Sequence, residues 1–344
     1  MFGRSRPSWA WLLGGLAALV AAMVLGVAAG AASITPLDIA GALLAPVWPG
    51  MESPLDDRQA AVLVELRLPR VVLGAMVGGL LACAGAAYQG VFRNPLADPY
   101  LLGAASGGGL GATLVIAFGG DVFDSPRALV PVAAFLGALL GVAAAYALGH
   151  STARGGTASL VLAGVAVSSF LSAVQTLLQQ MRIEELQRIY AWVLGGLGRS
   201  GWDDIVMVTP YAVAAMVVLL GCGYLLDMLA LGDEKAVSLG LNATAVRLIV
   251  ISAASLATAA AVAVSGLIGF VGIVVPHIVR RLVGTGYRMI LPMSLLVGGA
   301  FLVLVDIVAR TVIAPAELPL GVVTAFLGAP FFIIVLRGTR DRSM

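Results

Sequence analysis

Long apolar runs, separated by short polar or Gly- and Pro-rich stretches, recur along the whole chain. A membrane helix needs roughly 20 mostly apolar residues. Runs of that kind occupy 9–32, 62–91, 97–119, 127–149 and 157–181, then 202–228, 244–268, 270–284, 287–313 and 318–337. The pattern predicts an all-α, polytopic membrane protein with about ten transmembrane helices in one compact domain, 1–344. The run 270–284 is short and follows Gly269-Phe270, so nine full crossings is the fallback. The first run follows Arg4 and Arg6, as a signal peptide would, with Ala29-Gly30-Ala31 as a candidate cleavage site. Its apolar core of about 23 residues exceeds the ~7–15 of a signal core, and it is read as a retained span.

Composition sharpens this picture. Of 344 residues, 60% are hydrophobic and 11% charged, against about 25% charged in soluble domains. That excludes a soluble enzyme and a disordered chain. Gly is abundant, at 43 residues, and small residues let membrane helices approach closely. Gly103, Gly107 and Gly111 form one such stripe, Gly74 and Gly78 another, and both read as packing seams. Cys83 and Cys222 lie in apolar runs and read as small core residues. A net charge of +2 gives no reason to expect nucleic acid.

Basic residues set the orientation. With the N-terminus inside, most of the 20 Lys and Arg fall on the cytoplasmic side, among them Arg93, Arg154, Lys235, Arg247, Arg280 and Arg281. Acidic residues lean the other way. Both termini are expected in the cytoplasm.

Several chemistries are missing. Lys235 is the single lysine, and no Gly-Lys-Ser/Thr exists to cradle nucleotide phosphates, so the chain is no P-loop ATPase. His150 and His277 stand far apart, which excludes multi-histidine metal sites. Gly-x-Ser-x-Gly is absent as well. No catalytic residue, bound cofactor or metal ligand is expected.

Polar residues inside a membrane are functional candidates because they are costly there. On the fifth run, Ser168, Ser172, Gln175 and Gln179 follow steps of four, three and four, which places them on one helical face beside Ser169 and Thr176. They read as the wall of a translocation pathway, or else as interhelical hydrogen-bonding residues. Asp306 and Arg310 are four apart and can neutralise one another. His277, after Pro276, reads as a core histidine. The segment Leu231-Gly232-Asp233-Glu234-Lys235-Ala236-Val237-Ser238-Leu239-Gly240 differs in character. A short amphipathic helix with glycine near each end suits docking into a partner's groove, though an ordinary solvated loop would look similar.

Four stretches together resemble the FecCD-type iron-chelate and cobalamin permeases of ABC importers. They are Arg67-Leu68-Pro69-Arg70, Gln89 through Pro99 (Gln-Gly-Val-Phe-Arg-Asn-Pro-Leu-Ala-Asp-Pro), Leu231 through Gly240, and Gly269 through His277. The resemblance covers about residues 60–337. It implies a paired assembly, homodimer before heterodimer, with a second permease subunit and the pathway along the pair's axis. Two cytoplasmic ATP-binding subunits would supply ATP hydrolysis, and an extracytoplasmic binding protein would deliver a bulky metal chelate, an iron-siderophore, haem or cobalamin. It assigns ATPase coupling to 231–240 (Leu231, Gly232, Asp233, Glu234, Lys235, Ala236, Leu239, Gly240) and to Asn94. It assigns binding-protein docking to Arg67, Arg70 and Arg310, with the Asp306–Arg310 pair weighing against the last. The location implied is a bacterial cytoplasmic (inner) membrane. Two other classes compete: an ion-coupled secondary transporter using Asp306, and a membrane scaffold with no transport role.

Overall fold

The computed structural model describes residues 9–30, 35–45, 53–121, 126–151, 157–198 and 201–340. Helix α1 (Trp9–Ala28) is an uninterrupted apolar rod. Thr35 starts α2 (Pro36–Leu44): its hydroxyl accepts from the Asp38 N–H, and Asp38 accepts from the Thr35 N–H in return. The same reciprocal cap, Asp56 with Gln59, starts α3 (Asp57–Ala61). From there the chain passes through a wide π turn (Val62–Arg67) into α4 (Leu68–Phe92). Pro69 has no N–H to return to the preceding turn, a local reason for the helix to widen just before it. The continuous rod Asp57–Phe92 has 36 residues.

Arg93 closes α4 in the left-handed conformation (φ 50°). A tight turn at Pro99–Leu102, capped by Asp98, leads through Gly103 into α5 (Ala104–Phe118). Then come α6 (Val130–His150), α7 (Thr157–Met181) and the short α8 (Leu186–Val193). The single run expected over 202–228 is broken at Cys222 into α9 (Trp202–Gly221) and α10 (Gly223–Ala230). Glycine on both sides of the break supports helix poorly. The remaining elements are α11 (Asp233–Ser238), α12 (Ala243–Ser265), α13 (Val271–Val283), α14 (Tyr287–Thr311) and α15 (Leu320–Arg340).

Seven helices among the described residues are long and apolar enough to cross a membrane, Ala104–Phe118 is a shorter apolar helix, and α15 has 21 residues. With 13 residues, α13 rises only about 20 Å against a hydrocarbon core of about 30 Å. The ten expected runs thus resolve into these seven long spans, the shorter α5, the 21-residue α15 and a half-span.

Packing ranks these helices. In the most apolar 18-residue stretch of the α4 rod 83% of the residues are buried, whereas in that of the span ending at Met181 only 11% are. A side chain at Gly78 would overlap the Gly298 carbonyl, and one at Gly85 the Gly272 carbonyl. Hydrogen alone at these positions lets α14 and α13 lie backbone-to-backbone on α4. Gly107 meets Gly137 in the same way, joining α5 to α6. One connected core runs through α4, α5, α6, α9, α12, α13 and α14, and it holds both Cys83 and Cys222. A smaller core ties α1 and α2 to α4 and α14.

Candidate functional site

Backbone that is not helical is costly at membrane depth unless protein satisfies its hydrogen bonds. Three such stretches meet beside α4: residues 194–198 after α8, the turn 266–270 between α12 and α13, and residues 318–319 before α15. Gly196 donates to the Ser265 carbonyl (2.8 Å), Leu320 to Gly195 (3.0 Å) and Gly321 to Leu194 (3.0 Å). The Tyr100 hydroxyl accepts from the Ile268 N–H and donates to the Ile268 carbonyl, both at 3.1 Å. Gly266 (φ 66°) is required here twice over, by its conformation and because a Cβ would overlap the Trp192 carbonyl.

Against this junction opens a cleft of about 620 Å³, whose lining includes Leu194, Leu267, Phe270, Val322, Phe326 and Pro330. No residue lining it is charged. Its lining offers apolar area and few directional contacts. Of these positions only Phe270 falls in a stretch that the sequence singles out, although Gly195-Gly196, Gly266, Gly269, Pro319 and Gly321 all interrupt apolar runs, a feature that points to pathways in transporters.

The polar residues of α7 do not line that cleft. Gln175 lies over α5, where a Cβ at Gly109 would come within 2.9 Å of its Oε1. Ser168 and Gln179 are half-buried like Gln175, while Ser172 is exposed. The stripe therefore runs along the seam between α5 and the open side of α7. The outermost polar positions are Ser169, Ser172, Thr176 and Gln180.

At one end of the bundle stands α11. Gly232 (φ 103°) and Gly240 (φ 83°) bracket it in conformations other residues avoid. The Leu241 N–H returns to the Ala236 carbonyl (3.0 Å) and that of Gly240 to Val237 (2.9 Å), which closes the helix. Ala236 is fully buried, whereas Leu231, Glu234, Lys235, Val237, Leu239 and Gly240 are exposed. Asp233 faces inward to Arg93 at the end of α4 (3.3 Å) and Arg247 on α12 (2.5 Å). Asn94 is exposed next to this clamp, and its Oδ1 accepts from the Leu96 N–H (3.0 Å).

Arg67, Arg70 and Arg310 gather at the other end, about 33 Å away along α4. Arg67 is buried and donates to the Val27 carbonyl (2.9 Å) at the end of α1. Arg310 donates to the Ala29 carbonyl (3.0 Å) and also to that of Gly26. Both thus cap the negative end of the α1 dipole. Arg70 turns instead toward Asp306 (2.8 Å) and Glu317 (2.8 Å). The i,i+4 pair of Asp306 with Arg310 is present too, at 3.3 Å. Hydrogen bonding to Arg70 holds the Glu317 carboxyl below the usual carboxylate range.

His277 lies edge-on to Phe331, with ring centroids 5.6 Å apart, so α13 and α15 run side by side.

The chain is similar to known proteins over most of its length. The model of the FecCD transport family matches residues 18–338. The cobalamin import system permease protein BtuC of Halobacterium salinarum is 42% identical, over 81% of this chain and 74% of that protein. The hemin transport system permease protein HmuU of Yersinia pestis is 36% identical, over 84% and 87%. A solved transporter described as of metal-chelate ABC type, in an inward-facing conformation, superposes with a TM-score of 0.83 at 31% identity, over 96% of this chain and all of that one.

Proposed function

Because this chain belongs to the FecCD transport family, we propose that it is the permease subunit of an ATP-driven importer for a bulky metal chelate. Relatives named for cobalamin, hemin and Fe(3+)-citrate support that substrate class. The observation that carries the proposal is α11. Asp233 braces this exposed helix on both Arg93 and Arg247. Displacement of α11 by a partner therefore reaches α4 and α12 together, as a rigid-body step requires.

In this reading two separate ATP-binding subunits sit against α11, which fits a sequence with no phosphate loop of its own. A second permease copy pairs with this one. Both termini are cytoplasmic in this reading, as α11 is, and the membrane is the bacterial cytoplasmic membrane. The α7 stripe (Ser168, Ser172, Gln175, Gln179) gives the pathway a polar wall. A binding protein docks at the Arg67, Arg70 and Arg310 end. Of these three, Arg70 has the exchangeable partner, because Glu317 is the exposed member of the cluster. The ion-coupled alternative loses its candidate carboxylate, since Asp306 is 2% exposed and held by two arginines.

Purification of the tagged chain from its native membrane tests the proposal. An ATP-binding subunit should accompany it, with ATPase activity that rises when binding protein loaded with hemin, cobalamin or a ferric siderophore is added. Recovery without any ATP-binding subunit contradicts it.

A further inference from the structure

Phe270 is one of two non-glycine residues with positive φ among the described residues, at 67°. A bulky side chain in that region is a true outlier, and such strain persists only where surrounding structure enforces it. The enforcement is visible. Tyr100 grips the neighbouring turn at both the N–H and the carbonyl of Ile268. The Phe270 ring lies in a notch on α15 made by Gly328, where an added methyl group would overlap the Cβ, Cγ and Cδ1 of Phe270. Gly328 is buried by that contact.

Position gives the strain a meaning. Phe270 lines the 620 Å³ cleft. From it, α13 descends toward Arg280, whose guanidinium lies over the Tyr287 ring, and Tyr287 bonds to Asp227 on α10 just before α11. On α15 the cleft lining runs from Gly321 to Pro330, and the ring, seated at Gly328, lies toward the later end of that stretch, at the hinge where α12 turns into α13. A strained hinge residue with a fitted seat has two natural arrangements: seated, or relaxed to negative φ with the ring withdrawn.

We propose that Phe270 is the movable floor of the cleft. Seated on Gly328, its ring closes the cleft toward the α11 side, and movement of the α12–α13 turn lifts it and opens the way inward. This rests on the transport reading above and adds the residue that gates the cleft and touches the cargo there.

Thiol accessibility tests this without cargo or ATP, so its failure and that of the transport reading are separable. A cysteine is placed at Ala325, in the cleft lining, and a membrane-impermeant methanethiosulfonate is applied from the α11 side of inside-out vesicles. Cys83 and Cys222 are buried, and the parent chain supplies the background rate. Labelling should be slow with Phe270 in place and rise about tenfold in Phe270→Gly, a change that removes the ring and suits the backbone angle. Gly328→Ala, which fills the seat, should raise the rate in the same direction while retaining the ring. Equal labelling rates in all three backgrounds, with each protein eluting as the parent does on size exclusion, would overturn the proposal.

Discussion

Arg70 on α4 holds Asp306 on α14 side-on, with Nε and Nη2 both donating to the carboxylate at 2.8–3.1 Å. Asp306 is 2% exposed, so this is a buried, charge-assisted clamp between two central helices. Such pairs contribute little net stability compared with apolar packing, but breaking one side leaves an uncompensated charge. Asp306→Asn should therefore cost about 3–5 kcal/mol. Thermal unfolding in detergent, with Glu317→Gln alongside, checks it. The Glu317 variant should lose under about 1 kcal/mol, because its side chain is 45% exposed and screened.

The Arg70–Glu317 pair has a pH signature. Glu317 titrates below its ordinary value in the folded chain. Its stabilising contribution is thus fully present above the unfolded carboxylate value, about 4.3, and lost as pH falls through the lower folded value. The stability difference between the parent and Glu317→Gln should stay constant from about pH 7 to 5 and vanish in stronger acid. A difference that disappears already near neutrality would show that Glu317 is not held by Arg70.

At the opposite end, Asp233→Asn should loosen α11 from α4 and α12 while leaving the membrane core intact. The expected result is a loss of about tenfold in ligand-stimulated ATPase activity, equivalent to about 1.4 kcal/mol of coupling, with normal copurification. Lys235→Glu acts differently, on the exposed face, and should weaken retention of the ATP-binding subunit. Ala236→Arg would force a cation into a fully buried position and should displace α11 itself. Normal stimulated activity in Asp233→Asn would remove α11 from the coupling route.

The contact of α4 with α13 gives a prediction about packing. Gly85→Ala drives a methyl group into the Gly272 carbonyl, and backbone cannot yield as a flexible side chain does. A loss of about 1–3 kcal/mol is expected. Gly120→Ala, with open space around the Cβ, should leave the unfolding temperature unchanged.

Much of this architecture was legible in the chain. The apolar runs marked the spans, because lipid demands long uncharged stretches, and Leu231–Gly240 stood out as charged residues bracketed by glycine. The half-span α13 was foreshadowed by Gly269-Phe270. The cleft was not legible. Its walls come from residues around 194, 267, 270 and 322–330, and only tertiary contact between three interrupted segments brings them together. The arginines illustrate a second limit. Three-residue spacing puts Arg67 and Arg70 near one another, yet Arg67, at the end of the π turn, turns inward to the α1 carbonyls while Arg70 turns toward Asp306. For α7, periodicity identified the polar stripe, but only the fold shows Gln175 turned onto Gly109 of α5.

Reconstitution decides whether this polypeptide moves cargo only when driven by separate ATP-binding subunits. Proteoliposomes holding the permease alone, under proton and sodium gradients, are compared with proteoliposomes that also contain the copurified ATP-binding subunits, ATP and chelate-loaded binding protein. Uphill accumulation of hemin, cobalamin or ferric siderophore should occur only in the second set and stop when ATP is withdrawn. Accumulation by the permease alone on an ion gradient would contradict the account.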